Sequence, residues 1–210
     1  GSIENVPCFV EQTGDEGTKS LVESTQTVTY NTKFRITGLD TYLNTGDTAF
    51  VQHHAVIVPD KAIGNNQMNG TNTNNGGYTG SFLFTSVLPV YNAHFDAKLN
   101  NHLLLHSEYL TNSVSGNSAN GCAWATVKIN LPSEPEIYGS TIFGGKYDNG
   151  LNYRQFPIFR LTPKYICNRN WFWCKSTAWD PSFAGVTSPG NANASGASSI
   201  GGVRPCFCIG

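Results

Sequence analysis

Charge is scarce in this chain. Asp, Glu, Lys and Arg make up 13% of its 210 residues, with a net charge of −1 at pH 7, against about 25% charged residues in an ordinary globular domain. No basic patch marks a nucleic-acid partner, and no acidic run marks a solvating tail. The longest apolar runs are far too short to cross a bilayer, so no membrane insertion is expected. No nucleophile elbow, phosphate-binding loop or dinucleotide glycine pattern is present, and no glycine-rich segment is followed by a helix placed to hold a phosphate. Six cysteines are too few for a disulfide scaffold and include no CxxC pair. No secretory leader is expected among its first residues either. Gly1-Ser2 reads as the scar of a removed tag, giving the expectation that the chain was cut from a longer protein. Residues 1–30 are then expected to join an upstream region to a single domain over 31–210.

What is present is mostly strand signal. Residues 26–30 and 33–39 alternate, and 49–58 are β-branched and aromatic up to Pro59. A loop crowded with Asn, Gly and Thr follows over 64–80. One helical stripe is visible: Phe82, Leu83, Val87, Leu88, Tyr91, Phe95 and Leu99 share a face over 81–99, with Pro89 expected to kink or split it. Residues 102–111 and 123–131 return to strand composition, separated by a polar turn over 113–121. Ser133 is placed to cap a short helix over 134–138 that Gly139 ends. The class predicted is α+β, with short twisted sheets, one or two helices and much loop.

The last forty residues carry the clearest pattern. An aromatic cluster, Asn170-Trp171-Phe172-Trp173-Cys174-Lys175-Ser176, is followed by a long stretch of small residues. An apolar strand then closes the chain, in which Val203, Phe207 and Ile209 alternate with Cys206 and Cys208. Two anchored ends would hold the segment between them on a rigid base, as binding loops are held. Trp179 supplies contact area with little rotamer entropy, and Ser, Gly and Asn adapt around it; a tucked-in tryptophan on a plain surface loop is the alternative. Phe183-Ala184-Gly185-Val186 reads as a buried strand.

Other chemistry-bearing residues have blander readings. Cys206 and Cys208 read as buried thiols, while Cys167 and Cys174 flank the aromatic cluster and could be bridged. His102 and His106, four apart, would share a face, but a zinc site needs a third ligand, and Asp96 and Glu108 are near only in sequence. One of His53 and His54 must face inward. Asn and carbonyl oxygens in the 64–80 loop could hold calcium, although carboxylates are few there. No metal and no cofactor is expected.

Four motifs together resemble a family. Leu131-Pro132-Ser133-Glu134-Pro135-Glu136-Ile137-Tyr138-Gly139 resembles the LPxExE(W/Y) helix start of formylglycine-generating-enzyme-like members of the C-type lectin fold. Gly202-Val203-Arg204-Pro205 is similar to that group's G(F/V)R ending. Residues 171–176 resemble its W-W-L-R-S run, with Cys174 and Lys175 where Leu and Arg are more usual. Residues 67–74 and 77–81 resemble the upstream part of such phage proteins. The branch includes phage tail proteins and variable proteins diversified by retroelements.

The resemblance implies a non-catalytic receptor-binding domain on the surface of a phage particle. Its partners would be a bacterial surface protein or glycan and other virion proteins. Ligand-contacting positions carried over are Thr177, Trp179, Asp180, Ser182, Thr187, Ser188, Asn191, Asn193 and Ser195. Glu134, Trp171, Trp173 and Arg204 are expected as framework, with Arg204 paired to Glu134 or Glu136. The alternatives are a purely structural virion module and a metal-dependent oxidase of the formylglycine-generating type, for which Cys167 and Cys174 would be the copper-binding thiols.

Overall fold

The computed structural model describes residues 2–13, 19–115, 118–145, 154–167 and 169–210. The architecture is α+β, with several small sheets and three α-helices among the described residues. β1 (Ser2–Thr13) and β2 (Lys19–Asn31) form an antiparallel hairpin of their own. β3 (Phe34–Leu39) pairs with β4 (Ala55–Pro59). The strand expected over 49–58 thus begins only at Ala55. Before it, Asp40 holds the chain as a loop: its amide donates to the His54 carbonyl at 2.9 Å and its carboxylate accepts the His54 amide at 2.9 Å.

After β5 (Asn65–Asn66) comes a π-helical turn, Leu83–Val87, which runs directly into α1 (Leu88–Lys98). Pro89 sits at this junction, where its missing N–H makes a change of hydrogen-bond register cheap. The predicted stripe faces inward, with Leu83, Val87, Leu88, Tyr91 and Phe95 all buried. β6 (Leu103–Leu104) precedes a hairpin of β7 (His106–Ser115) and β8 (Ser118–Val127), so the expected polar turn over 113–121 is largely strand. β9 (Ile129–Asn130) leads into α2 (Glu134–Tyr138). α2 closes as its sequence dictates: Ser133 and Glu136 form a capping box, and Gly139 ends it at φ +83°. α3 (Pro157–Leu161) and a 3₁₀ turn at Pro163–Tyr165 follow.

The tail, expected as loop apart from a buried strand over residues 183–186, is mostly sheet. β10 (Phe172–Thr177), β11 (Ser182–Val186) and β12 (Ala192–Gly196) run antiparallel, and β13 (Gly201–Gly202) and β5 complete the sheet in the order β12-β11-β10-β13-β5. β14 (Cys206–Ile209) is central to the other large sheet and pairs with β4, β6 and β9. Its alternation separates two cores. Val203 and Phe207 pack with Tyr78, Leu103, Trp173 and Phe183 in one. Cys206 and Cys208 pack with Val56, Val58, Phe159 and Phe172 in the other.

Candidate binding surface and the polar core behind it

The turn joining β10 to β11 carries Trp179. It closes through Ala178 N–H to the Ser182 carbonyl at 3.1 Å. Asn74, itself buried, directs its side-chain amide at the carbonyls of Ala178, Trp179 and Ser182, at 3.4, 3.3 and 3.1 Å. Trp179 is 44% exposed and meets Phe143 edge-on at 5.6 Å. Phe143 is fixed in turn, because the wholly buried carboxylate of Glu134 accepts the amides of Ile142, Phe143 and Gly144 at 3.1, 3.0 and 2.7 Å. Ile142 is itself exposed, as is Asp180. The result is a rigid aromatic and aliphatic platform beside one carboxylate.

The other tail positions do not join it. Thr177 and Ser182 are buried, which corrects their assignment to a ligand surface: both sit in the paired ends of β10 and β11 and face inward. Thr187, Ser188 and Asn191 lie at the opposite end of β11, whose five residues span about 16 Å. Their turn is closed by Thr187 N–H to the Asn191 carbonyl at 2.8 Å and rests on Tyr138, whose hydroxyl donates to the Gly190 carbonyl at 2.9 Å. Cys167 donates there too, to the Ser188 carbonyl at 3.3 Å. Cys167 also lines a shallow cleft of about 210 Å³ with Asp60, Lys61, Lys164, Tyr165 and Arg169. Asn193 and Ser195 lie on the edge strand β12, bonded to each other at 3.2 Å.

Of the expected framework residues, Trp173 is fully buried and donates to the Asn66 carbonyl at 2.8 Å, with Trp171 edge-on at 4.7 Å. Arg204 is buried, but not against a carboxylate. Its Nε donates to the Pro59 carbonyl at 2.8 Å, and its guanidinium lies 4.9 Å from the Phe172 ring centre and 5.3 Å from that of Phe159. Burial pushes its pKa down to about 10, against the pull of Asp60. The two expected partners are otherwise engaged. Glu134 holds the loop amides, and Glu136 accepts Ser133 N–H at 2.7 Å, the Tyr42 hydroxyl at 2.6 Å and Lys175 Nζ at 3.0 Å.

Lys175 is the residue that sequence reasoning passed over. It was noted only as a departure from an arginine, although a lone cation inside an apolar strand is itself a signal of a buried pair. Its ammonium is buried between Glu136 and Glu108, donating to both. Glu108 also meets His106 Nε2 at 3.0 Å and accepts from Asn130 Nδ2 at 3.0 Å. Burial alone would raise the Glu108 carboxyl, but Lys175 and His106 hold it well below its ordinary value. Burial would likewise lower Lys175, yet Glu108 and Glu136 hold it well above.

The remaining candidates separate. His106 is buried in this network while His102 is exposed, so they share no site. Of the adjacent pair, His54 faces inward and His53 outward. Five cysteines of the described residues are free, so Cys167 and Cys174 are not bridged. Burial raises the thiols of Cys174, Cys206 and Cys208. In the 64–80 segment, Asn66, Gln67, Asn69 and Asn74 all bond to backbone. Among the described residues no group of three or more His, Cys, Asp or Glu could hold a metal ion. Comparison with family models, curated proteins and solved structures finds no match.

Proposed function

We propose that this chain is a non-catalytic, C-type-lectin-like binding domain of a phage or prophage tail or virion protein. It recognises a bacterial surface protein or glycan through the platform of Trp179, Phe143 and Ile142. The observation carrying this reading is the exposed Trp179 on a turn held by Asn74 and backed by Glu134. A rigid, half-exposed aromatic ring costs little entropy to bind with, which is what an interface anchor requires. The lectin-like fold rests on the motif resemblance and on the α+β arrangement closed by β14. Of the positions that a retroelement could vary, Asp180, Ser188, Asn191 and Asn193 are exposed and Thr187 and Ser195 half-buried, whereas Thr177 and Ser182 belong to the core.

The test is a panel of bacterial-surface glycans and proteins probed with the wild-type chain and Trp179→Ala. Binding should weaken by about 2 kcal/mol or more, with the melting temperature unchanged. Equal binding by both would remove the platform from the interface.

A structural virion module remains a second reading, with its own observation. Ile36, Leu39 and Leu161 are 60%, 71% and 74% exposed. With Pro157 and Ile158 they line an apolar groove of about 500 Å³. Patches of this kind mark contacts between proteins. Leu39→Asp with Leu161→Asp should leave ligand capture intact while abolishing any assembly that uses this face.

A further inference from the structure

Lys175, Glu108 and Asn130 form a buried hydrogen-bonded triad, to which Glu136 adds a second carboxylate on Lys175. Three strands meet there. β10 supplies Lys175, β7 supplies Glu108 and β9 supplies Asn130, all of them buried. Glu108 bridges the other two: one carboxylate oxygen accepts from Lys175 Nζ, and the other accepts from Asn130 Nδ2 at 3.0 Å. The amide oxygen of Asn130 accepts two donors, the Tyr78 hydroxyl at 2.6 Å and Leu131 N–H at 3.0 Å. Backbone pairing fixes the approach, since Lys175 N–H donates to the Pro132 carbonyl at 3.1 Å.

Each group has the role that acyl transfer to an amine needs. An amine is the nucleophile and a carboxamide the electrophile. One carboxylate reaches both the attacking and the leaving nitrogen. Two donors are aimed at the oxygen on which negative charge develops. All three groups are buried, and Leu110 and Leu131, close in sequence to Glu108 and Asn130, belong to an apolar core, so water that would compete as nucleophile is scarce.

We propose that Lys175 and Asn130 join in an intramolecular isopeptide bond, formed by the folded chain itself. Glu108 takes a proton from the Lys175 ammonium, and the freed amine attacks Cγ of Asn130. The tetrahedral oxygen is held by Tyr78 and Leu131 N–H. Glu108 then delivers the proton to Nδ2 and takes the second proton from the attacking nitrogen, the C–N bond of the carboxamide breaks, and ammonia leaves with that proton as ammonium. One amide is made and one is broken, so no oxidant, cofactor or activating group is required. The ion pair is the resting arrangement, and attack proceeds from the minor form with the proton on Glu108. A single turnover per molecule suffices, so even a slow step completes the crosslink. Residues 131–174 are thereby closed into a covalent loop.

The test is the intact mass of the full chain, unfolded and reduced after incubation in its folded state. The expected mass is lower than that of the sequence by one ammonia, about 17 Da. Proteolysis should yield a branched peptide joining the segment of Asn130 to that of Lys175. Lys175→Arg and Asn130→Ala should restore the sequence mass, as should Glu108→Gln, which keeps both reacting groups. Tyr78→Phe should slow formation without preventing it. A wild-type mass equal to that of the sequence overturns the proposal, whatever the variants do. A loss of one water, about 18 Da, would place the bond on Glu108 or Glu136 and overturn the assignment to Asn130.

Discussion

A lysine in the middle of an apolar strand has to be matched, and Lys175 is matched twice, by Glu108 and Glu136. Removing it should therefore cost more than removing a hydrophobic neighbour. In the Asn130→Ala background, where Lys175 keeps its charge, Lys175→Met leaves two carboxylates without their cation, and a further loss of about 3–5 kcal/mol is expected, read as a shift of the urea midpoint. Acid should act on the same group wherever it remains ionic, as in Asn130→Ala, which cannot crosslink. The folded Glu108 carboxyl lies below its ordinary value, whereas the unfolded one takes up a proton near pH ~4.3. Protons thus bind the unfolded chain first. The stability that this carboxylate contributes is full above about pH 5 and lost as the pH falls through and below that range. Urea unfolding of Asn130→Ala at about pH 3, 5 and 7 checks it; equal midpoints at all three would mean that the pair is not ionic. Arg204 gives a second residue-scale expectation. Its charge is buried against one carbonyl and two rings, so Arg204→Ala should lower the melting temperature more than any change at Thr187, Ser188, Asn191 or Asn193.

At the scale of elements, the Trp179 turn depends on one distant side chain. Asn74→Ala would remove the side-chain donor that three carbonyls of that turn share, while Ser182 and Trp179 keep a backbone donor each, costing about 1–3 kcal/mol. It should also blunt ligand capture without touching the ligand, and hydrogen exchange across the turn would show the loosening. β14 is the opposite case, an element that several others need. Deleting residues 203–210 removes Val203 and Phe207 from one core and Cys206 and Cys208 from the other, and the remainder should not fold. A truncated chain with an unchanged melting temperature would refute this. Such dependence also decides what could be read in advance. α2 was legible to the residue, because Ser133, Glu136 and Gly139 act locally. The alternation of β14 was legible because a period of two survives any context. Of the β10-β11-β12 sheet only β11 was legible, as the buried strand over 183–186; in β12, Ala, Asn, Ser and Gly have weak strand preference and are set by their neighbours. The Lys175 network was not legible, because its members at positions 108, 130, 136 and 175 meet only through the fold. Of the proposed binding surface, Trp179 was legible, whereas Phe143 and Ile142 were invisible until Glu134 gathered their amides.

For the molecule as a whole, scarcity of charge and division of labour go together. The described structure places its ionic contacts either in one buried network or in a few peripheral pairs, such as Arg35 with Asp60 and Lys128 with Asp96. Stability therefore rests on the two apolar cores and the network between their elements, while the outer faces of the tail contribute little to it. On the proposed reading, recognition could then change without unfolding the chain, as a diversified binding surface would demand. A substitution library across the tail reads this directly, with thermal stability scored apart from binding. Asp180, Ser188, Asn191 and Asn193, all exposed, should accept most residues within about ±0.5 kcal/mol of wild type. Thr177 and Ser182, buried where β10 and β11 pair, should accept few, and large side chains there should cost about 1–3 kcal/mol by overpacking. Binding should follow a different order, falling with changes at Trp179, Phe143 and Ile142 even where the melting temperature holds. If tolerance at 177 and 182 matched that at 191 and 193, the tail would be one uniform loop after all, and the division between framework and recognition surface would fail.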